Sequence, residues 1–237
     1  MDLSKLTLEE AREGQVFCIN KPLDWTSFDV VAKMRNALRN VYKIKKLKVG
    51  HAGTLDPKAT GLLIICIGRK TKEIETYMGH SKVYEATIKL GATTPSYDLE
   101  KEEDHHFPTQ HITEDLIQSI LLQFRGEIDQ TPPIFSALKK EGKPLYEYAR
   151  KNQEVEIKSR KITIHQLEMV SLEGNLLKLV IHCGKGTYIR SLARDIGLAL
   201  DSGGYLVQLK RTQIGEHSLE DAWEVDEWVR QLKDRPE

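Results

Sequence analysis

Apolar and polar positions change period several times along this chain, and each change marks an element. Residues 15–20 read as a short buried strand that stops at Lys21-Pro22. Val30, Val31, Met34 and Leu38 then recur at helical spacing, predicting a helix capped by Ser27 or Thr26. Residues 62–67 are apolar throughout, as in a strand covered on both faces. Residues 68–72 lead into a short helix ending near Met78-Gly79. From Tyr84 to Leu90 the alternation is strict, which puts Tyr84, Ala86, Ile88 and Leu90 on one face of a half-buried strand. After a polar, turn-rich stretch over residues 92–112, Thr113 opens a helix with Ile117, Ile120, Leu121 and Phe124 inward. Residues 155–170 and 176–183 predict a strand pair around Glu173-Gly174-Asn175. Thr187 is placed to cap a helix striped by Ile189, Leu192, Ala193, Ile196 and Leu200, and an amphipathic helix is expected over residues 221–232. Periodicity alone predicts alternating strands and helices, not their arrangement.

Composition narrows the class. At 237 residues, 40% hydrophobic and 30% charged, the chain suits a soluble globular protein with a real core. No apolar run reaches the roughly 18 residues of a membrane span, and the polar, acidic start does not resemble a secretory signal. Cys18, Cys66 and Cys183 are widely spaced in apolar runs, so they read as reduced core residues of a cytoplasmic protein. His105, His106 and His111 read as solvated rather than metal-binding. Net charge is zero, yet its distribution is uneven. Between Asp29 and Asp56 there is no acid, while Lys33, Arg35, Arg39, Lys43, Lys45, Lys46 and Lys48 are basic; Asp98, Glu100, Glu102, Glu103 and Asp104 compensate elsewhere. Such a footprint, expected beside the Asp56 loop, can hold phosphates. The alternative is a solvated helix face and turn.

The candidate chemistry concentrates in Gly50-His51-Ala52-Gly53-Thr54-Leu55-Asp56-Pro57-Lys58-Ala59-Thr60-Gly61-Leu62-Leu63. Three glycines allow a shaped loop, and Asp56 stands before a proline, which biases it towards extended backbone. Local chemistry alone describes a turn. The whole string, however, closely resembles the signature G-H-x-G-x-L-D-P-x-A-x-G-x-L of the TruB-type tRNA pseudouridine-55 synthases, whose aspartate is catalytic. Other segments agree. Lys21-Pro22-Leu23-Asp24-Trp25-Thr26-Ser27 resembles the family's K-P-x-G-x-T-S, with Asp24 in place of the glycine. Tyr84 occupies the tyrosine of K-x-Y, Gly186 to Leu192 matches G-T-Y-I-R-x-L, and Leu209-Lys210-Arg211 matches the closing L-x-R. Gln130 to Arg150 is a further family-like string, mixing Lys139, Lys140, Lys143 and Arg150 with Phe135, Tyr146 and Tyr148 in a way that suits RNA.

The resemblance spans nearly all of residues 15–215. It implies a mixed α/β (α+β) pseudouridine synthase fold with a mainly antiparallel central sheet, flanking helices and an RNA-clasping insertion. The expected organisation is an N-terminal extension at 1–14, a catalytic domain over 15–237 with the insertion around 126–152, and no C-terminal PUA domain. It further implies isomerisation of uridine to pseudouridine at position 55 in the tRNA T-arm, with Asp56 as nucleophile, Tyr84 against the base and Arg190 paired with the aspartate. His51, Lys72, Tyr188 and Leu209 join the substrate-binding set. Lys21 is placed there too, although with Pro22 it reads first as structural support. The reaction is redox-neutral and needs no cofactor and no metal; the expected partner is tRNA, met by a monomer with no protein partner and no membrane. Two other classes compete: a non-catalytic RNA-binding or tRNA-folding module, and a carboxylate-using hydrolase. The second lacks the paired carboxylate that such chemistry needs.

Overall fold

In the computed structural model, which describes residues 2–136, 138–140, 142–151, 153 and 155–234, local capping chemistry sets the first two helices. Thr7 and Glu10 close a capping box in front of α1 (Leu8–Glu13), and Thr26 with Asp29 closes one in front of α2 (Ser27–Val41). Each box satisfies amide groups that the first helical turn leaves unpaired. The chain forms two units, Met1–Tyr84 with Lys210–Glu237, and Glu85–Leu209.

In the first unit, β1 (Val16–Lys21), β2 (Val49–Ala52) and β3 (Ala59–Ile67) build the sheet, with β3 antiparallel to both of the others. From Gly61 to Ile67 every residue of β3 is buried, as its unbroken apolar run requires. Leu63, Ile65 and Ile67 pack with Phe17, Ile19 and the Val30, Val31, Met34, Leu38 stripe of α2. Leu62, Ile64 and Cys66 face the other way, onto Ala52 and Ile214. Burying each such side chain contributes about 1.5–3 kcal/mol. Next come α3 (Ile74–Gly79) and β4 (Lys82–Leu90), along which the chain leaves this unit.

The second unit holds a short pair, β5 (Ala92–Thr93) with β6 (His105–His106), then α4 (Glu114–Leu121), capped by Thr113, with Ile117 and Leu121 buried. After β7 (Gly126–Gln130), the small hairpin β8 (Lys139–Lys140) and β9 (Lys143–Pro144) precedes α5 (Leu145–Arg150). Ala137 of the family-like string, and the side chains of Lys139 and Tyr146, expected among the RNA-facing groups, lie outside the described residues. The long hairpin of β10 (Arg160–Glu173) and β11 (Leu176–Cys183) follows. It begins later than the apolar pattern suggests, because the ladder starts where β7 offers a partner, Arg160 opposite Gln130. The helix α6 (Ile189–Ala199) has Tyr188 at its cap position without a side-chain cap. Thr187 therefore does not play the capping role its residue type suggests; its hydroxyl donates to the Gly184 carbonyl at 3.0 Å.

Along β12 (Gly204–Ile214) the chain returns to the first unit. There β13 (His217–Ser218) pairs with it, β14 (Trp223–Glu224) runs parallel to β1, and α7 (Val225–Lys233) buries Trp228 and Leu232 against the α2 side of the core. The pairing with β1 pushes the start of α7 past Asp221, which closes a separate short turn. The fold is mixed α/β; among the described ladders only β1 with β14 is parallel, and Asp98 and Leu206 add one isolated parallel bridge. None of the three cysteines is in a disulfide, and Cys66 and Cys183 are buried. Among the described residues no helix is long and apolar enough to cross a membrane.

Candidate active site

Asp56 lies half-buried in the loop between β2 and β3, and that loop is held almost entirely from outside itself. Ser27, the first residue of α2, accepts from the Leu55 amide at 2.8 Å and donates to the Leu55 carbonyl at 3.1 Å. Pro57 gives its carbonyl to the Asp24 amide at 2.9 Å. Arg211, only 1% exposed, spans the loop: Nε donates to the Leu62 carbonyl at 2.8 Å and Nη2 to the Gly53 carbonyl at 3.0 Å. Gly61 makes this clamp possible. Its φ is +102°, and a Cβ there would sit 2.3 Å from the Arg211 carbonyl oxygen.

Lys21 is fully buried at the end of β1. Its ammonium donates to the carbonyls of Trp25 at 2.6 Å, Pro22 at 2.8 Å and Pro57 at 3.5 Å. Burial pushes its pKa down to about 8, against the pull of the Asp56 and Asp24 carboxylates. Lys21 ties the turn after β1 to the Pro57 carbonyl, next to Asp56 in the chain. Because the folded pKa lies below the unfolded 10.5, the native state binds fewer protons between these values, and stability from this group rises with pH across that window. Urea melts should show the parent gaining about 3 kcal/mol on Lys21→Met between pH 8 and 10.5; parallel curves would contradict the assignment.

Asp24 occupies the position of the family glycine, and its φ is +64°. The left-handed backbone that a glycine would supply is kept, at an expense of roughly 1 kcal/mol for an aspartate. Its carboxylate meets Lys58 at 2.7 Å in an exposed pair, which offsets up to about 1 kcal/mol. Asp24→Gly is therefore expected to change stability by less than about 1 kcal/mol and to leave turnover intact, as melts and rates will read.

In the second unit, Arg190 is 5% exposed. A cation in the first turn of a helix is disfavoured by the helix dipole, and the structure supplies the compensating carboxylate: Asp98 Oδ2 lies 3.5 Å from Arg190 Nε, both side chains buried. The guanidinium also donates to the carbonyls of Phe135 at 3.0 Å and Ser96 at 3.4 Å. Asp98 was indistinguishable by residue type from its solvated acidic neighbours. Its carboxylate Oδ1 accepts from the Glu100 backbone amide at 2.9 Å, and its bridge to Leu206 carries it into the interior. Gln130 is a second residue whose part becomes visible only in three dimensions. Its side-chain amide accepts from the Tyr188 amide at 2.8 Å and donates to the Tyr188 carbonyl at 3.1 Å, fixing Tyr188 at the head of α6. Leu209 is buried in β12.

Tyr84 is buried in β4, on the face it shares with Ala86, Ile88 and Leu90. His51 is half-buried in β2, and burial, with Arg211 nearby, pushes its pKa down, so the imidazole is neutral at neutral pH. Lys72 does not join this group. It lies exposed beyond β3, lining a basic hollow with Lys45, Lys46 and Lys48, so the basic footprint is not beside the Asp56 loop as its place in the sequence suggests. The reason is geometric: β3 carries the chain away from Asp56 before Lys72 is reached. Among the described residues no group of three or more His, Cys, Asp or Glu could hold a metal ion. His111 instead bonds the Leu200 carbonyl at 2.8 Å, and His105 sits against Asp104.

The sequence model described as "TruB family pseudouridylate synthase (N terminal domain)" matches residues 39–189, a stretch that contains Asp56, Tyr84 and the head of α6. The chain belongs to the TruB family. A relative from Parabacteroides distasonis named tRNA pseudouridine synthase B is 52% identical over 221 residues, covering 92% of this chain and 94% of its own. One of the same name from Bacteroides fragilis is 52% identical over 223 residues, covering 93% and 96%. Among solved structures, a Cbf5-Nop10-Gar1 complex contains a chain that matches with a TM-score of 0.68 and 26% identity, covering 98% of this chain and 63% of that one. An archaeal box H/ACA sRNP Nop10-Cbf5 complex matches at 0.66 and 25%, covering 97% and 57%. This TruB-family chain thus spans less than two thirds of the length of those structural relatives, and nearly the whole length of the curated ones.

Proposed function

We propose that the chain isomerises uridine to pseudouridine at position 55 in the T-arm of tRNA, with Asp56 as nucleophile on a flipped-out base. The observation that carries the reading is the Asp56 loop itself, fixed by Ser27, Lys21 and Arg211 in a chain half-identical to tRNA pseudouridine synthases B. A carboxylate nucleophile must present its oxygen in one geometry, and a loop held by buried donors meets that demand. The reaction breaks the C–N glycosidic bond and joins C5 of the same base to the same sugar carbon, so atoms and electrons balance without an added reactant. A proton leaves C5 and one is gained at nitrogen.

The other roles follow from this. Arg190 keeps the aspartate ionised, since a nearby cation lowers a carboxylate pKa. Tyr84 stacks on the base, Tyr188 and Leu209 close the pocket walls, and neutral His51 helps to open the T-loop. Flipping the uridine costs a few kcal/mol, met by grip elsewhere on the RNA, including Lys140, Lys143 and Arg150 of the insertion with Phe135 and Tyr148. A single copy acts without a protein partner.

The test is pseudouridine formation in an unmodified tRNA transcript, with the purified chain, a chelator and no added cofactor. Product at position 55 from a protein with the mass of one copy supports every part. Binding without product favours the tRNA-folding reading instead, and product at another position overturns the T-arm assignment.

A further inference from the structure

A hollow of about 630 Å³ opens in the first unit at the far end of β3, and its lining is basic. Arg12 comes from α1, Arg35 and Arg39 from α2; Lys45, Lys46 and Lys48 come from the segment after α2. Arg69 and Lys72 complete the ring, and Gly68 forms part of its floor. Gly68 has φ +59°, and a Cβ there would lie 2.3 Å from the Ala11 carbonyl, so its lack of a side chain lets α1 close over the end of β3 and bring Arg12 into place.

These charges are nearly uncompensated. Arg69 meets Glu13 at 2.9 Å; among the described residues no ion pair is made by Arg12, Arg35, Arg39, Lys45, Lys46, Lys48 or Lys72. Like charges gathered on one concave surface repel each other and create a potential that draws a polyanion. The lining contains no aromatic ring on which a base could stack and no Asn or Gln to read a base edge, and Leu47 is its apolar side chain. Thr71, its one hydroxyl, already donates to the Gly68 carbonyl at 2.8 Å. Such a surface holds phosphates without regard to sequence.

Its distance from Asp56 matters most. Lys21, whose ammonium reaches the Asp56 loop, pairs with Gly61, whereas Lys48 bonds Gly68 at the hollow. Seven positions at roughly 3.3 Å each place these points about 23 Å apart along β3. The helix α2 runs the same way, from Ser27 at the loop to Arg35 and Arg39 at the hollow.

We infer that this hollow is a second RNA-backbone site, which grips tRNA at phosphates outside the segment that enters the Asp56 loop. The inference rests on the proposed tRNA reading and adds to it a grip that an isolated T-arm hairpin is too small to use. The triple variant Arg12→Gln, Arg35→Gln, Arg39→Gln separates the two, because none of these residues touches the Asp56 loop. With full-length tRNA transcript, its binding should weaken by about tenfold or more, and the slope of log affinity against log salt should flatten by about two. Binding to a synthetic T-arm hairpin should change less than about twofold in the same buffers, and thermal melts should match the parent. An unchanged affinity and slope for full-length tRNA would overturn the inference. So would an equal loss with the hairpin, since the hollow would then serve the T-arm itself. Failure of the tRNA reading would look different: the parent would bind neither RNA.

Discussion

Asp56→Asn lowers turnover of a tRNA transcript by a factor on the order of 10⁴ or more, while the dissociation constant of the RNA stays within about threefold. The substitution keeps the size of the side chain, and three restraints on the loop do not depend on its charge. Ser27, Arg211 and Asp24 all act on main-chain groups of its neighbours. What disappears is the charge and the nucleophilic oxygen, which an amide cannot replace. Single-turnover rates with saturating enzyme, beside filter binding, separate the two effects. Residual catalysis within a hundredfold of the parent would remove Asp56 from its role.

Arg190→Ala is expected to damage fold and activity together, with a loss of about 3–5 kcal/mol in stability. The reason is Asp98. With Arg190 gone, a carboxylate whose side chain is 4% exposed loses the guanidinium beside it, and the Phe135 carbonyl loses its donor. Adding Asp98→Asn in the same chain removes the uncompensated charge. The double variant should recover roughly half of the lost stability in urea melts and none of the lost turnover. If the double variant melts no higher than Arg190→Ala, the Asp98 pair is not the source of the loss. If turnover returns with stability, Arg190 is a fold residue only.

Much of the architecture was legible because short-range rules determine it. The apolar run of β3, the alternation in β4 and the cap of α2 depend on neighbours a few residues apart, whereas α1 with its capping box lies in a stretch that reads only as a polar extension. Asp24 was legible only as the replacement of a family glycine, and its left-handed backbone is the one that glycine would supply. What the sequence could not reveal is a matter of long-range burial. Asp98 looks like Glu100 and Glu102 until the bridge to Leu206 buries it. Gln130 looks like any polar residue at the end of a strand until it clasps Tyr188 across 58 positions. The basic cluster was visible as composition, but its neighbour in sequence, Asp56, is not its neighbour in space, because β2 runs from Lys48 at the Ile67 end of β3 back towards the Asp56 loop. Thr187 shows the converse, a good capping residue diverted to a local carbonyl.

The shape of the Asp56 loop is written mostly in residues that lie outside it. Lys21, Ser27 and Arg211 come from three separate segments, and all of them hold main-chain carbonyls or amides of the loop or its flanks. The loop is consequently not a portable cassette. Grafted into a foreign scaffold as a fourteen-residue insert, it would carry its aspartate but none of its restraints, and would relax into an ordinary surface turn. Any transplant of this chemistry has to bring the remote donors along with it.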